Sequence, residues 1–156
     1  MFASSSTEGI IGGRTGADNL CETQRAMLTS YDLPSAHVHA FISVSASDQI
    51  SNMATNYSIP VYPPIAGPTG IEIAENWHDL ISKIFINSPQ DANVTSESPW
   101  WSGSNNSGSV GSNTCIEWNS GTSNGNYGTT AGGDDFFYNG SISCTNSYQL
   151  LCICWE

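Results

Sequence analysis

"SCTNSYQLLCICWE", Ser143–Glu156, carries three of the chain's five cysteines: Cys144, Cys152 and Cys154. Its centre, "YQLLCICW", is apolar at odd and even positions alike, which predicts a central strand buried on both faces. Cysteines in such a place are metal ligands, a redox pair or staples. Cys152 and Cys154 are separated by one residue and leave a strand on the same face, whereas structural zinc sites favour C-x2-C pairs with a second pair elsewhere. A redox C-x2-C motif is absent as well. Disulfides are therefore expected, and spacing alone leaves their pairing open. By loop closure, a bridge from the first helix to this strand would contribute about 5 kcal/mol, and one closing Cys115 to Cys144 about 3.5 kcal/mol. The second would tether an otherwise floppy loop.

Working outward, the 156 residues suit one domain, 1–156, with a single sizeable core. Only 11% of residues are charged, against about 25% in ordinary soluble domains, so the surface must be mostly neutral and polar. Three basic residues (Arg14, Arg25, Lys83) stand against fourteen acidic ones, for a net charge of -11. Nucleic acid, heparin-like polymers and anionic membrane are thereby poor partners. No apolar run is long enough to span a bilayer, and the start lacks the charged and apolar segments of a signal peptide. Frequent cysteine, scarce lysine and a Ser/Thr/Asn-rich surface point to an extracellular or cell-surface setting, with a signal peptide lying outside this sequence. The sequons at Asn56, Asn93, Asn105 and Asn139 are no more than such a composition yields by chance.

Near the start, "MFASSSTEGIIGGRTGADNLC" reads as a short strand, a Gly-rich turn and a helix capped by Thr15 or Asp18. Ala17, Leu20, Cys21, Gln24, Met27 and Leu28 then share one helical stripe. "HVHAFISVS" alternates as a strand, with Val38, Ala40, Ile42 and Val44 against His37, His39, Phe41 and Ser43. After the proline-rich "IPVYPPIAGPTG", the residues Trp77, Leu80, Ile81, Ile84 and Phe85 predict a second amphipathic helix, with Asp79 four residues before Lys83. From Trp100 to Gly140 the chain is loop-rich around a short strand, "CIEW". It is too polar for a core of its own, but loops of this kind are where binding residues sit.

The segments "GGRTGADNLC", "AFIS", "NWHDLI", "WWSGS", "CIEW" and "SCTNSYQLLC" occur in the order found in endostatin. Together with the opening "MFASSSTEGIIGGRTGAD", they are similar above all to bacterial, leptospiral-type endostatin-like surface proteins, over nearly the whole chain. The specific parts are Gly-Ala-Asp-x-x-Cys and the step from Cys144 to Cys152. This resemblance implies a C-type-lectin-like α+β fold: a mixed antiparallel sheet with two helices and long loops. It also implies nested disulfides, Cys21 with Cys152 and Cys115 with Cys144, and leaves Cys154 unpaired, as a buried thiol or a link to another chain. Endostatin's zinc site and arginine-rich heparin surface do not carry over, for want of the histidine and arginines. The Ca2+ motifs of sugar-binding C-type lectins are also missing, apart from a partial echo, "WNS", at Trp118–Ser120.

Other constellations are weaker. "GTSNG", Gly121–Gly125, matches a nucleophile elbow, but the adjoining "NYGTTAGG" is no helix former, and His37, His39 and His78 all precede Ser123. His37 and His39 share a strand face and could hold a metal with His78 or a carboxylate, although an ordinary half-exposed face explains them. Asp134 and Asp135 offer hard oxygen ligands suited to Ca2+ if backbone carbonyls join them. The resemblance puts Trp101 and Trp118 in the core, which leaves Trp100, beside Asn105 and Asn106, as the expected exposed aromatic for stacking on a sugar or anchoring a protein.

No acid-base pair or nucleophile has a partner, so the expectation is a non-catalytic adhesion module. It would recognise a host or matrix protein, or a glycan, through the 100–140 loops. The alternative is a structural subunit of a surface layer or filament built by self-association.

Overall fold

The computed structural model describes residues 1–97 and 99–156. Along the chain run β1 (Phe2–Ala3), β2 (Thr7–Glu8), α1 (Gly13–Met27) and β3 (His37–Ala40). Next come α2 (Met53–Tyr57), β4 (Ile65–Ala66), β5 (Glu72–Ala74), α3 (Trp77–Ile81) and β6 (Pro99–Trp101). The last part holds α4 (Cys115–Trp118), β7 (Asn124–Thr129), β8 (Gly140–Ser143), β9 (Ser147–Tyr148) and β10 (Leu151–Trp155). The fold is α+β. In place of one sheet and two helices, the described residues form small antiparallel sheets, ordered β1-β10-β3, β2-β9, β4-β5 and β6-β7-β8, with α1 the only long helix.

β10 is the central strand of its sheet, and its alternation explains why both of its faces are apolar. Leu151 and Ile153 enter one hydrophobic cluster with Phe41, Trp77, Trp100, Phe136 and Phe137. Cys152 enters the other, with Ala17, Cys21, Ile42, Trp101 and Trp118. Each large side chain buried in this way contributes about 1.5–3 kcal/mol. The sheet is thus a partition between two cores, and Trp100 and Trp101, adjacent in sequence, go to opposite sides of it.

Cys21 bonds Cys152, which staples α1 to β10, and Cys115 bonds Cys144; Cys154 is an unpaired, half-buried thiol.

α1 begins earlier than its polar residues suggest. Gly12, left-handed at φ 90, precedes it, and no side chain caps it, so neither Thr15 nor Asp18 has that role. Gly16 lies so close to the Ile11 carbonyl that a Cβ would collide with it, which fixes how the chain enters the helix. Asp18 instead accepts from the Ala40 amide at 2.8 Å and faces His39 Nδ1 at 3.0 Å, tying α1 to β3. Met27 is exposed, so the buried stripe narrows to Gly13, Ala17 and Cys21.

α3 is shorter than its periodicity. Lys83 turns left-handed at φ 60, and the Ile84 amide bonds back to the Asp79 carbonyl at 2.8 Å, closing the helix in a Schellman turn. Ile84 is consequently exposed, and Lys83 leaves Asp79 for Asp134. The β3 ladder likewise ends at Ala40, after which Phe41, Ile42, Ser43 and Val44 are all buried and no face remains polar.

Candidate binding surface

Between Trp100 and Gly140 the chain is polar yet built into the core. β6 pairs with β7, and β7 with β8, which gives the loops a three-stranded base. The loop after β6 is held by serines: Ser43, Ser102 and Ser104 are fully buried, and the Ser43 and Ser104 hydroxyls lie 2.8 Å apart. Ser43 Oγ also accepts from the Ile50 amide at 2.9 Å. Gln49 Oε1 takes the Val110 amide at 2.8 Å, and buried Asn126 donates to the Ser104 carbonyl at 3.0 Å. A loop whose hydroxyls meet inside the protein is ordered before it meets a partner, so little ordering entropy is left to lose on binding.

"CIEW" is not a strand. Cys115, Ile116, Glu117 and Trp118 all have positive φ, between 51° and 64°, and form α4 as a left-handed turn. L-residues avoid this region at a cost of about 1–2 kcal/mol each, and a β-branched residue such as Ile116 avoids it most. Several anchors hold the turn. Thr114 Oγ1 accepts from the Glu117 amide at 3.2 Å, and the Trp118 amide donates to the Thr114 carbonyl at 2.7 Å. The Trp118 carbonyl accepts from the Ile11 and Gly12 amides, and its buried indole donates to the Ser43 carbonyl at 2.9 Å. The disulfide to Cys144 fixes the first residue, with Gly9 packed so closely that a Cβ would strike Cys115 Sγ.

This anchored turn points Ile116 outward at 63% exposure, next to exposed Glu117. Ile10, 53% exposed, lies against Gly121 on the segment that the Ile11–Trp118 hydrogen bond joins to the turn. Two isoleucines and a carboxylate are thus presented on rigid backbone. Nothing in the residue pattern marks this turn, because left-handed backbone is ordinarily signalled by Gly or Asn and here carries neither.

The residues nominated from sequence fall differently. Trp100 is a correction: its indole is fully buried, stacked on Phe41 at 5.8 Å and donating to the Phe136 carbonyl at 3.1 Å. A side chain with its ring covered and its N–H used cannot stack on a sugar. Asn105 and Asn106 are exposed, and Asn105 Oδ1 folds back to accept from Ser107. Asp134 and Asp135 are exposed in a short 3-10 turn, Gly133–Asp135. The Lys83 ammonium lies 3.3 Å from the Asp134 carboxylate and 3.4 Å from its carbonyl, so a protein cation already occupies that approach.

His37 and His39 stack on Trp155, and His39 also contacts Tyr57. Among the described residues no group of three or more His, Cys, Asp or Glu could hold a metal. After Ser123 the chain enters β7 rather than a helix, and Ser123 Oγ meets Cys144 Sγ at 3.7 Å in place of a histidine.

All three basic side chains are engaged. Arg14 grips Asp48 through two bonds of 2.8 and 2.9 Å and donates to the Ala40 and Ile42 carbonyls. Burial alone would lower its pKa, but the Asp48 hydrogen bonds and the charges of Asp48 and Asp18 outweigh that and raise it. The Tyr57 hydroxyl donates to Asp48 at 2.9 Å and is pushed up to about 12, by burial first and then against the pull of Arg14 by Asp48. Arg25 donates to the Leu33 and Pro34 carbonyls. An approaching molecule therefore meets acidic and neutral groups.

No protein-family model and no curated protein matches this chain.

Proposed function

We propose that the chain is a non-catalytic, extracellular binding module of C-type-lectin-like, endostatin-like architecture. It captures a protein at a host or matrix surface through the region around α4, within the 100–140 loops. The single observation that carries this reading is the left-handed turn Cys115–Trp118. Backbone held at such a cost persists only where its surroundings over-determine it, and such sites cluster where binding or switching takes place.

Protein is favoured over glycan as the partner. The turn presents the apolar Ile116 and Ile10, while Trp100, Trp101 and Trp118, the rings best suited to stacking on a sugar, are buried. Two disulfides suit an oxidising, extracellular location, and no helix among the described residues is long and apolar enough to cross a membrane.

The test is binding of the oxidised protein to an array of matrix proteins, complement regulators and glycans, with Ca2+ and with EDTA. A protein hit that is indifferent to EDTA and lost in Ile116→Asp supports the reading. No hit, together with concentration-dependent self-association, would favour a surface-layer or filament subunit.

A further inference from the structure

The sheet β6-β7-β8 beneath the loops has two unlike edges. β6 is closed, since the Trp101 amide donates to the Gln149 carbonyl at 2.9 Å. The outer strand of the central sheet, β3, is closed by α1: Asp18 takes the Ala40 amide, and Arg14 donates to the Ala40 carbonyl. β8 has no such cover. In its ladder with β7, Ser141 lies opposite Asn126 and Ile142 opposite Gly125. Asn126 turns its backbone away from β8, its amide donating to the Asn113 carbonyl and its carbonyl accepting from the Ser102 amide. At a position of this kind in an antiparallel pair, both residues face outward. The Ser141 amide and carbonyl therefore point away from β7, as does the Ser143 amide, and among the described residues nothing bonds to any of the three. Ser141 is exposed, while Ile142 packs against the core that holds Cys21 and Cys152.

Natural sheets guard an open edge with Lys, Pro, a bulge or a covering segment. Gly140-Ser141-Ile142-Ser143 has no Lys and no Pro, and its register with β7 is regular. Charge decides what this edge accepts. The chain carries a net charge of -11, so two copies repel each other over most of their surfaces. Between Glu117 and Glu156, however, the only charged residues are Asp134 and Asp135, and β6, β7 and β8 have none. A basic partner would find no carboxylate on these strands to hold it. A neutral strand with an equally free backbone fits, and β8 of a second copy is one.

We propose that β8 is a self-association edge, to which a second copy adds its own β8 antiparallel across a two-fold axis at Ser141. The Ser141 amide of each copy donates to the Ser141 carbonyl of the other, the exchange that an antiparallel pair makes when one residue meets itself. The three strands then continue into those of the second copy as one six-stranded sheet. Gly140, Ser141 and Ser143 are small enough for the strands to reach the usual spacing of about 4.7–4.9 Å. Because β8 meets β8, assembly closes at two copies, unlike a filament. Cys144, which follows β8, is bonded to Cys115 at the start of the left-handed turn. The dimer thus carries two such turns on one frame, and a surface that displays several partner molecules is gripped twice.

The test is sedimentation of the oxidised chain from micromolar to millimolar concentration, with hydrogen exchange measured at both ends of the range. The expected result is a monomer–dimer equilibrium that stops at two copies and strengthens with added salt, which screens the net charge. Exchange at the Ser141 and Ser143 amides should slow as the dimer forms, while the Ile142 amide, which faces β7, should not change. Ser141→Lys sets two like charges on the axis at an exposed position and should weaken the dimer at least about tenfold. Ser141→Pro removes the outward N–H and should do the same, a loss of one or two hydrogen bonds. Ser141→Thr should keep the dimer, and Ile116→Asp should leave it unchanged. A chain still monomeric at millimolar concentration, assembly beyond two copies, a dimer that survives Ser141→Lys, or one abolished by Ile116→Asp would each overturn the proposal.

Discussion

The Ile11 amide donates to the Trp118 carbonyl at 2.9 Å, and this bond joins the segment leading into α1 to the end of the left-handed turn. Since α1 is itself bonded to β10 through Cys21 and Cys152, the exposed Ile116 is connected to the centre of the fold by short rigid steps. Its position is fixed by the core and not by the loop's own preferences.

Relief of strain should therefore separate stability from binding. Ile116→Gly removes a β-branched side chain from φ 53, where glycine is unstrained. After the entropy glycine adds to the unfolded chain, a net gain of about 0.5–1 kcal/mol is expected. Urea denaturation would measure it, and the same variant should lose affinity for the partner.

The Cys115–Cys144 bridge closes a loop of 29 residues. Cys115→Ala/Cys144→Ala should lose about 3.5 kcal/mol by loop closure, and it should release the turn. Hydrogen exchange should then quicken around residues 114–120, while amides of α1 and β10, stapled by the other disulfide, stay protected.

Trp100→Ala should act as a core mutation. Truncating a fully buried tryptophan typically costs about 3–5 kcal/mol. Denaturation curves would show the loss, and binding by the fraction still folded should be unchanged.

Burial raises the Cys154 thiol above its ordinary value of 9.0, so little thiolate is present at neutral pH. Alkylation by iodoacetamide should be slow at pH 7.5, accelerate well above pH 9, and become fast at any of these values once the protein is unfolded. Disulfide-linked dimers should not accumulate in air.

Tyr57 sets a second pH dependence. Its folded pKa of about 12 lies above the ordinary 10.0, so the stability it contributes is intact below pH 10 and lost as pH rises toward 12. Melting temperatures measured across that window should fall more steeply with pH in the wild type than in Tyr57→Phe.

What the sequence made legible was whatever depended on side-chain pattern. The doubly apolar "YQLLCICW" marked β10 as central because each of its faces meets a core. The stripe through Ala17 and Cys21 marked α1, although its start was hidden: the cap is a backbone turn at Gly12, with no polar side chain to signal it. The periodicity through Ile84 overran α3 because Lys83 stops the helix from a position where glycine is the usual sign. Trp100 was misplaced because the resemblance put Trp101 and Trp118 in the core and left Trp100, of the adjacent pair, as the free ring. Here the sheet has a core on each side, so both are covered. Ile116 could not have been found at all, since the anchors that force its conformation lie at Ile11, Ser43 and Cys144, distant in sequence.

The most direct test of the binding face compares wild type, Ile116→Asp and Asp134→Asn/Asp135→Asn on immobilised matrix and host-surface proteins, with and without EDTA. Ile116→Asp adds a charge at an already exposed position and should leave folding intact. The expected result is saturable binding that survives EDTA and the Asp134/Asp135 changes, and that falls at least about tenfold in Ile116→Asp, as for truncation of an apolar anchor. Wild-type binding retained by Ile116→Asp, or abolished by EDTA, would contradict the account.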